Sequence, residues 1–136
     1  MPRKTDSNNP SDWILMCESD LEVLRMAVKQ ELGYSLCRSK LAEVLGRGLK
    51  AELIRTGWPL AKTHDLERLY EVMTVRGSDL AGQADPLCKG LAEAYFTDRY
   101  PGFDLEDPDW PKLREQLRQI EGILQIVKSR LPSQAS

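Results

Sequence analysis

The sequence has little histidine, few cysteines and no excess of positive charge, and each shortage narrows the possible functions. A single histidine, His64, excludes a metal site built from several histidines. Three cysteines, odd in number and without C-x-x-C or metal-ligand spacing, are interpreted as reduced, core-facing thiols of a cytosolic protein. A formal net charge of −2 and a pI of about 5.5 exclude a global basic field, so any contact with nucleic acid has to be local.

Long hydrophobic runs and the common catalytic motifs are also missing. No apolar run approaches the roughly 20 residues that cross a bilayer, and the N-terminal MPRKTDSNNP has no apolar signal segment. We therefore expect a soluble, cytoplasmic protein without membrane contact. There is no G-x-S-x-G, no P-loop and no dinucleotide-binding glycine motif. The acids at 104, 106, 107 and 109 lack EF-hand spacing, so no metal or other cofactor is expected.

What the sequence does have is helical periodicity over most of its length. No alternating β-branched run is long enough for a strand, and 136 residues accommodate one domain. The pattern predicts an all-α, up-and-down bundle of four main helices with one short extra helix. Residues 12–131 form this domain, between a flexible N-terminus at 1–11 and a flexible tail at 132–136.

Periodicity and capping signals set the expected bounds of the first two helices. The first is expected from about residue 12 to 32, with Ser11 as N-cap and Leu32 as the last member of its buried stripe. The second is expected from about residue 36 to 56. Gly46 and Gly48 inside it mark either a close approach of another helix or a kink.

The remaining helices are expected to be one short and two longer ones. A short helix should cover residues 64–75, and a fourth should begin with Asp85 as N-cap and Pro86 at its first position. The last, over about 112–131, carries a heptad seam of apolar residues. Ile123 and Ile126 widen that seam. We expect one side of the widened apolar face to pack in the bundle core and the other to form a dimer contact.

Two polar junctions carry the candidate chemistry, and the first surrounds His64. A histidine titrates near neutral pH and can transfer protons. Thr63, His64 and Asp65 also lie at a predicted helix N-terminus, where backbone N–H groups favour an anion such as phosphate. The alternative is that Thr63 or Asp65 caps the helix while His64 packs over the preceding loop.

The second junction is Tyr95 to Pro101. Arg99 is suited to bidentate phosphate contact, and Tyr95 and Tyr100 are suited to stacking on a base. The alternative is that Arg99 binds the last carbonyls of its own helix while the tyrosines cover the edge of the core. We expect the side chains of His64 and Arg99 to meet in one solvent-accessible hollow.

Basic residues on the second helix form a third candidate. Lys50, with Arg47 and Arg55, lies on partly overlapping helix faces. These residues either line a basic groove or form an ordinary solvated face.

The order of short motifs along the chain resembles a known family. A helix with Trp13 and Asp20-Leu21 is followed by LKAELIRTG at 49–57, Pro59, THDLERL at 63–69, and Tyr95-x-x-x-Arg99-Tyr100-Pro101. This order, over about residues 12–131, is similar to the HEPN domain, a small prokaryotic helical module often encoded beside a minimal nucleotidyltransferase.

The resemblance implies a homodimer with a polar groove near its axis for a nucleotide or RNA. It also implies a nucleotidyltransferase partner and a role in toxin-antitoxin or other stress and defence systems. The chain departs from many ribonuclease members, which carry Arg, four to six residues, then His. Here eight residues separate Arg55 from His64. The chain also reads Gly46-Arg47-Gly48 where many members have a Glu-Lys pair.

Three hypotheses follow. The leading one is a non-catalytic module that binds a nucleotide, RNA or a protein partner, with a ligand set of His64, Asp65, Lys50, Tyr95, Arg99 and Tyr100. The second is a metal-independent endoribonuclease in which His64 is the general base and Arg99 stabilises the transition state. The third is a dimeric scaffold whose polar junctions are only helix caps.

Overall fold

The protein is an all-α bundle. A computed structural model describes residues 7–61, 63–94 and 107–132, and these ranges form helices and no strand. The helices are α1 (Pro10–Lys29), α2 (Tyr34–Arg55), α3 (Leu66–Val75), α4 (Ala81–Leu91) and α5 (Trp110–Arg130). The fold class expected from the sequence is confirmed. Among the described helices, none is long and apolar enough to cross a membrane.

The central element is α2, which packs against each of the other four described helices. The helix α1 runs antiparallel to it, and the Cys17 thiol donates to the Val44 carbonyl at 3.5 Å. The helix α5 runs parallel to α2, since Gly48 faces Leu124 and Glu52 lies one turn further on, beside Arg130. The helices α3 and α4 form a hairpin that covers the remaining side of α2.

The hydrophobic core is built from the apolar stripes of these helices around α2. Buried leucines from four helices include Leu21, Leu45, Leu49, Leu69, Leu87 and others of the predicted stripes. The three cysteines are free and buried, as the sequence predicted. Burial raises the pKa of the Cys17 and Cys88 thiols to about 12, so these residues are packing groups rather than nucleophiles.

The glycines of α2 mark a close helix approach. A Cβ atom on Gly48 would overlap Leu124 Cδ2 of α5, and one on Gly46 would lie 3.5 Å from Leu66 Cδ2 of α3. The helix continues through both positions. Of the two alternatives drawn from the sequence, the close approach is confirmed.

The expected ends of α1 were wrong at both termini. The N-cap is Asn9, whose side chain accepts from the Ser11 N–H at 3.0 Å, and Pro10 opens the helix because its missing donor is not needed there. The helix ends at Lys29, before Leu32. Leu32 is 58% exposed because it follows the turn and no longer shares the helical stripe.

The expected start of the fourth helix was also wrong. Pro86 lies inside α4, which begins at Ala81. The Ser78 hydroxyl accepts from the Leu80 N–H at 3.2 Å and organises this earlier start. Leu80 and Ala84 are buried in line with Leu87, so the apolar stripe extends upstream of the proline. We attribute the retained helix to this burial, which offsets the roughly 3 kcal/mol cost of an internal proline.

The last helix begins at Trp110, two residues earlier than expected, with Asp109 as N-cap. Of the two residues that widen its apolar face, Ile123 is buried and Ile126 is partly buried against the same core, and the dimer contact stays a prediction. The large apolar side chains exposed in the described residues lie mainly on α1 and the α1–α2 junction: Leu15, Met16, Val23, Met26, Leu32 and Leu36.

Candidate functional site

A polar depression lies where α2 ends, and we call it the arginine recess. It has a volume of about 200 Å³ and is lined by the end of α2 and by the turn between α3 and α4. We define it by the residues Glu52, Arg55, Arg76 and Asp79 together with Arg130 of α5, which is paired to both acids.

Two helix ends of the same type shape this recess. After α2, the Trp58 N–H donates to the Leu53 carbonyl at 2.9 Å, and after α3 the Ser78 N–H donates to the Met73 carbonyl at 2.9 Å. Each turn requires a left-handed residue, which Gly57 (φ 96°) and Gly77 (φ 71°) supply. The two glycines therefore fix the chain direction on both sides of the recess.

Arg130 joins the two carboxylates of the recess. Its guanidinium makes a bidentate pair with Asp79, at 3.0 Å and 2.6 Å, and its Nη1 also donates to Glu52 Oε2. The other Glu52 oxygen accepts from Arg55 Nε at 2.5 Å. Glu52 is thus held between two arginines, one from its own helix and one from α5.

The two acids differ in their surroundings. Glu52 is 2% exposed, whereas the side chain of Asp79 is 68% exposed. The hydrogen bond from Arg130 lowers the pKa of Asp79, and the charges of Arg130 and Arg55 act in the same direction. The same hydrogen bond, donated by Arg130 to Asp79, is the main cause that raises the pKa of Arg130, with Glu52 adding to it.

Arg76 completes the recess from the end of α3. Its Nη2 donates to the Thr56 carbonyl at 2.8 Å, which satisfies an oxygen at the C-terminus of α2. This bond uses one of the five N–H donors of the guanidinium. Arg76 is exposed to solvent and lines the same depression as Arg55.

His64 and Asp65 lie at the other end of α3. The Asp65 carboxylate accepts from the N–H groups of Glu67 and Arg68, at 3.0 Å and 3.2 Å, so it caps the helix. His64 is exposed to solvent beside this cap. The ten residues of α3, about 15 Å of helix, separate these two side chains from Arg76 and the recess.

Lys50 matches neither of the alternatives expected for the basic residues of α2. It is 6% exposed, and its Nζ lies 5.3 Å from the centre of the Trp13 ring. Arg47 instead binds Asp20 of α1 at 2.5 Å, while Arg55 binds Glu52. Because the three cations have separate partners, they do not form a common basic groove.

Tyr95, Arg99 and Tyr100 lie outside the described residues, so the expected meeting of His64 and Arg99 stays a prediction. In the ranges that the structure describes, no group of three or more His, Cys, Asp or Glu residues is placed to hold a metal ion.

Sequence reasoning missed the residues that meet in the recess, apart from Arg55. One usable signal was Glu52, an acid placed directly between the apolar residues Ala51 and Leu53 of α2. Another was the run RGSD at 76–79, which places Arg76 and Asp79 close together after the short helix. Arg130 had no signal, because a basic residue in the last turn of a helix is ordinary.

Comparison with known proteins addresses the family directly. Residues 10–130 match the HEPN domain. No curated protein and no solved structure gave a match. The match spans the five helices of the described residues, including the recess, and agrees with the resemblance seen in the order of sequence motifs. The chain belongs to the HEPN domain family.

Proposed function

We propose that the protein is a non-catalytic HEPN module that binds a phosphate-bearing ligand, a nucleotide or RNA. In this proposal it acts with a nucleotidyltransferase in a toxin-antitoxin or stress and defence system. The observation that carries the binding role is the arginine recess, where the side chains of Arg55 and Arg76 line a solvent-accessible depression and Arg130 binds the two acids of its lining.

The charges of the recess support an anionic ligand. Arg55, Arg76 and Arg130 contribute three positive charges, and Glu52 and Asp79 contribute two negative ones. Guanidinium groups bind phosphate oxygens in a planar, bidentate geometry. Arg76 has donors beyond its bond to the Thr56 carbonyl, so a phosphate can be bound without removing that bond.

Binding without cleavage is favoured by the separation of the candidate base from this recess. A general base has to lie within hydrogen-bond reach of the proton it abstracts. His64 is about one α3 length, roughly 15 Å, from Arg76. The ribonuclease alternative with His64 and Arg99 predicts that His64→Ala abolishes RNA cleavage, which an assay free of contaminating nuclease would measure.

The protein partners are also part of the proposal. A homodimer and a nucleotidyltransferase partner both need an apolar surface, and the exposed side chains of α1, among them Met16, Val23 and Met26, offer one. The scaffold alternative is supported by the structural roles of two polar side chains. Asp65 caps α3, and Arg76 binds a carbonyl at the end of α2.

A binding titration decides between these functions. We expect short RNA and mononucleotides to bind the wild-type protein with an affinity that falls as salt is raised. Arg76→Gln should weaken binding about tenfold, the effect of one lost charge-assisted contact of about 1.4 kcal/mol.

The matched control changes a cation in a second depression. The α1–α5 groove is lined by Glu18, Arg25, Glu121 and Lys128 above an apolar floor. Arg25→Gln removes the same charge from an exposed ion pair there, and it should leave binding unchanged. Equal losses in both variants, or no binding by the wild type alone or with its nucleotidyltransferase, would contradict the proposed function.

A further inference from the structure

The two carboxylates of the arginine recess are held in different ways, and this difference predicts which kind of phosphate group the recess binds. Glu52 is buried and bound by two arginines, so it is a fixed part of the site. Asp79 lies at the solvent edge, and among the described side chains it is bound through Arg130 alone. Because most of its side chain is already in solvent, Asp79 can leave Arg130 with little exposure of buried surface, whereas Glu52 cannot.

Asp79 also occupies the place on Arg130 that an incoming phosphate needs. Its two oxygens take the two η nitrogens of the guanidinium, which is the arrangement that phosphate oxygens adopt on arginine. We infer, on the basis of the proposed function, that the recess selects a terminal phosphate monoester and that this group displaces Asp79 from Arg130.

The reason for the selection is competition with a tethered carboxylate. Asp79 is part of the chain, so its effective concentration at Arg130 is that of an intramolecular group, on the order of millimolar or above. A phosphodiester brings one negative charge, the same as the carboxylate it would replace. Such a ligand gains little binding free energy by the exchange, and its association also costs translational and rotational entropy.

A monoester differs in both charge and geometry. It carries about −1.5 to −2 charges at pH 7 and has three acceptor oxygens. Two oxygens replace those of Asp79 on Arg130, and the third is available to Arg76 or Arg55 across the recess. The extra charge and the extra oxygen provide the gain that a diester lacks, so a nucleotide or an RNA end with a terminal phosphate is the favoured ligand.

Calorimetric titration with two adenosine dinucleotides tests this inference. One probe has a 5′-terminal phosphate and the other has only the internal diester. We expect the phosphorylated probe to bind the wild-type protein at least tenfold more tightly. Its affinity should rise between pH 5 and pH 7.5, as the second phosphate proton leaves near pH 6.

The Asp79→Asn variant tests the displacement itself. Removal of the competing charge should strengthen binding of both probes and narrow the difference between them. The matched control is Glu115→Gln on α5, the helix that carries Arg130. This substitution removes the partner of Arg118 from an exposed ion pair and should change the affinity for neither probe.

The outcomes separate this inference from the proposed function. Equal binding of the two probes by the wild type, or unchanged affinities in Asp79→Asn, would overturn the selection of a monoester while the binding function stands. Absence of binding of both probes by the wild type and by Asp79→Asn would overturn both. Arg76→Gln, at an exposed position, provides a variant whose folding can be checked by circular dichroism before titration.

Discussion

The arginine recess and the α1–α5 groove are both small charged depressions, but their charges are held in different ways. In the groove, Arg25 pairs with Glu121 at 2.8 Å and Lys128 pairs with Glu18 at 3.0 Å, each pair between partly exposed side chains. In the recess, the buried Glu52 binds both Arg55 and Arg130. The exposed Asp79 also binds Arg130.

This difference teaches that the number of ion pairs is a poor guide to function. The groove pairs are one-to-one, screened by water, and contribute little to stability. The recess leaves one guanidinium, that of Arg76, without a carboxylate partner among the described side chains, and it contains a buried charge. Excess charge of one sign and burial are what distinguish a candidate ligand site from a solvated helix surface.

The largest expected effect concerns the buried acid. Glu52→Gln removes the charge that two arginines share, and we expect the free energy of unfolding to fall by about 3 kcal/mol. The same substitution at Glu121 in the groove should cost less than about 1 kcal/mol. Chemical denaturation of both variants measures the difference. Similar losses would show that the two depressions are energetically equivalent.

A smaller effect is expected at the floor of the groove, which is held by packing rather than charge. Gly48→Val places side-chain atoms in the space of Leu124, and we expect a loss of about 2 kcal/mol from overpacking. Gly122→Val on α5 is the matched control, because no atom lies within 4 Å of an added Cβ there. Thermal unfolding should show little change for the control. A neutral Gly48→Val would contradict the close approach of α2 and α5.

The smallest effect is a pH dependence at the solvent edge of the recess. The pKa of Asp79 is lowered from 3.8 in the folded protein, so its pair with Arg130 stabilises the fold above about pH 4. This stabilisation is lost as the pH falls through the lowered folded value. The difference in denaturation midpoint between wild type and Asp79→Asn should therefore shrink below pH 4. A difference that grows on acidification would have the wrong sign.

Helix periodicity predicted most of the fold because burial of one face is written directly into the sequence. The apolar seam of α5 is buried as predicted, and the close approach at Gly48 was one of the two alternatives that the sequence left open. The start of α4 was predicted wrongly, because the proline at 86 looked like a first helical residue. Its true position depends on burial of Leu80 and Ala84 against other helices, which local signals do not contain.

The candidate site was less predictable than the fold. Sequence inspection favoured the residues that stand out locally, such as His64, the only histidine. The recess instead joins ordinary charges that are far apart in the chain, with Glu52 and Arg130 separated by 78 positions. Such a site becomes visible only when the helix ends are placed together.

The sequence by itself determined the helical class, the HEPN family and the composition of the core, because hydrophobic spacing and motif order are local properties of the chain. Only the tertiary structure decided which charges meet, which acid is buried and which is exposed. The reason is physical: the strength of a charge interaction depends on distance and solvent access, and both are set by the packing of helices remote in sequence.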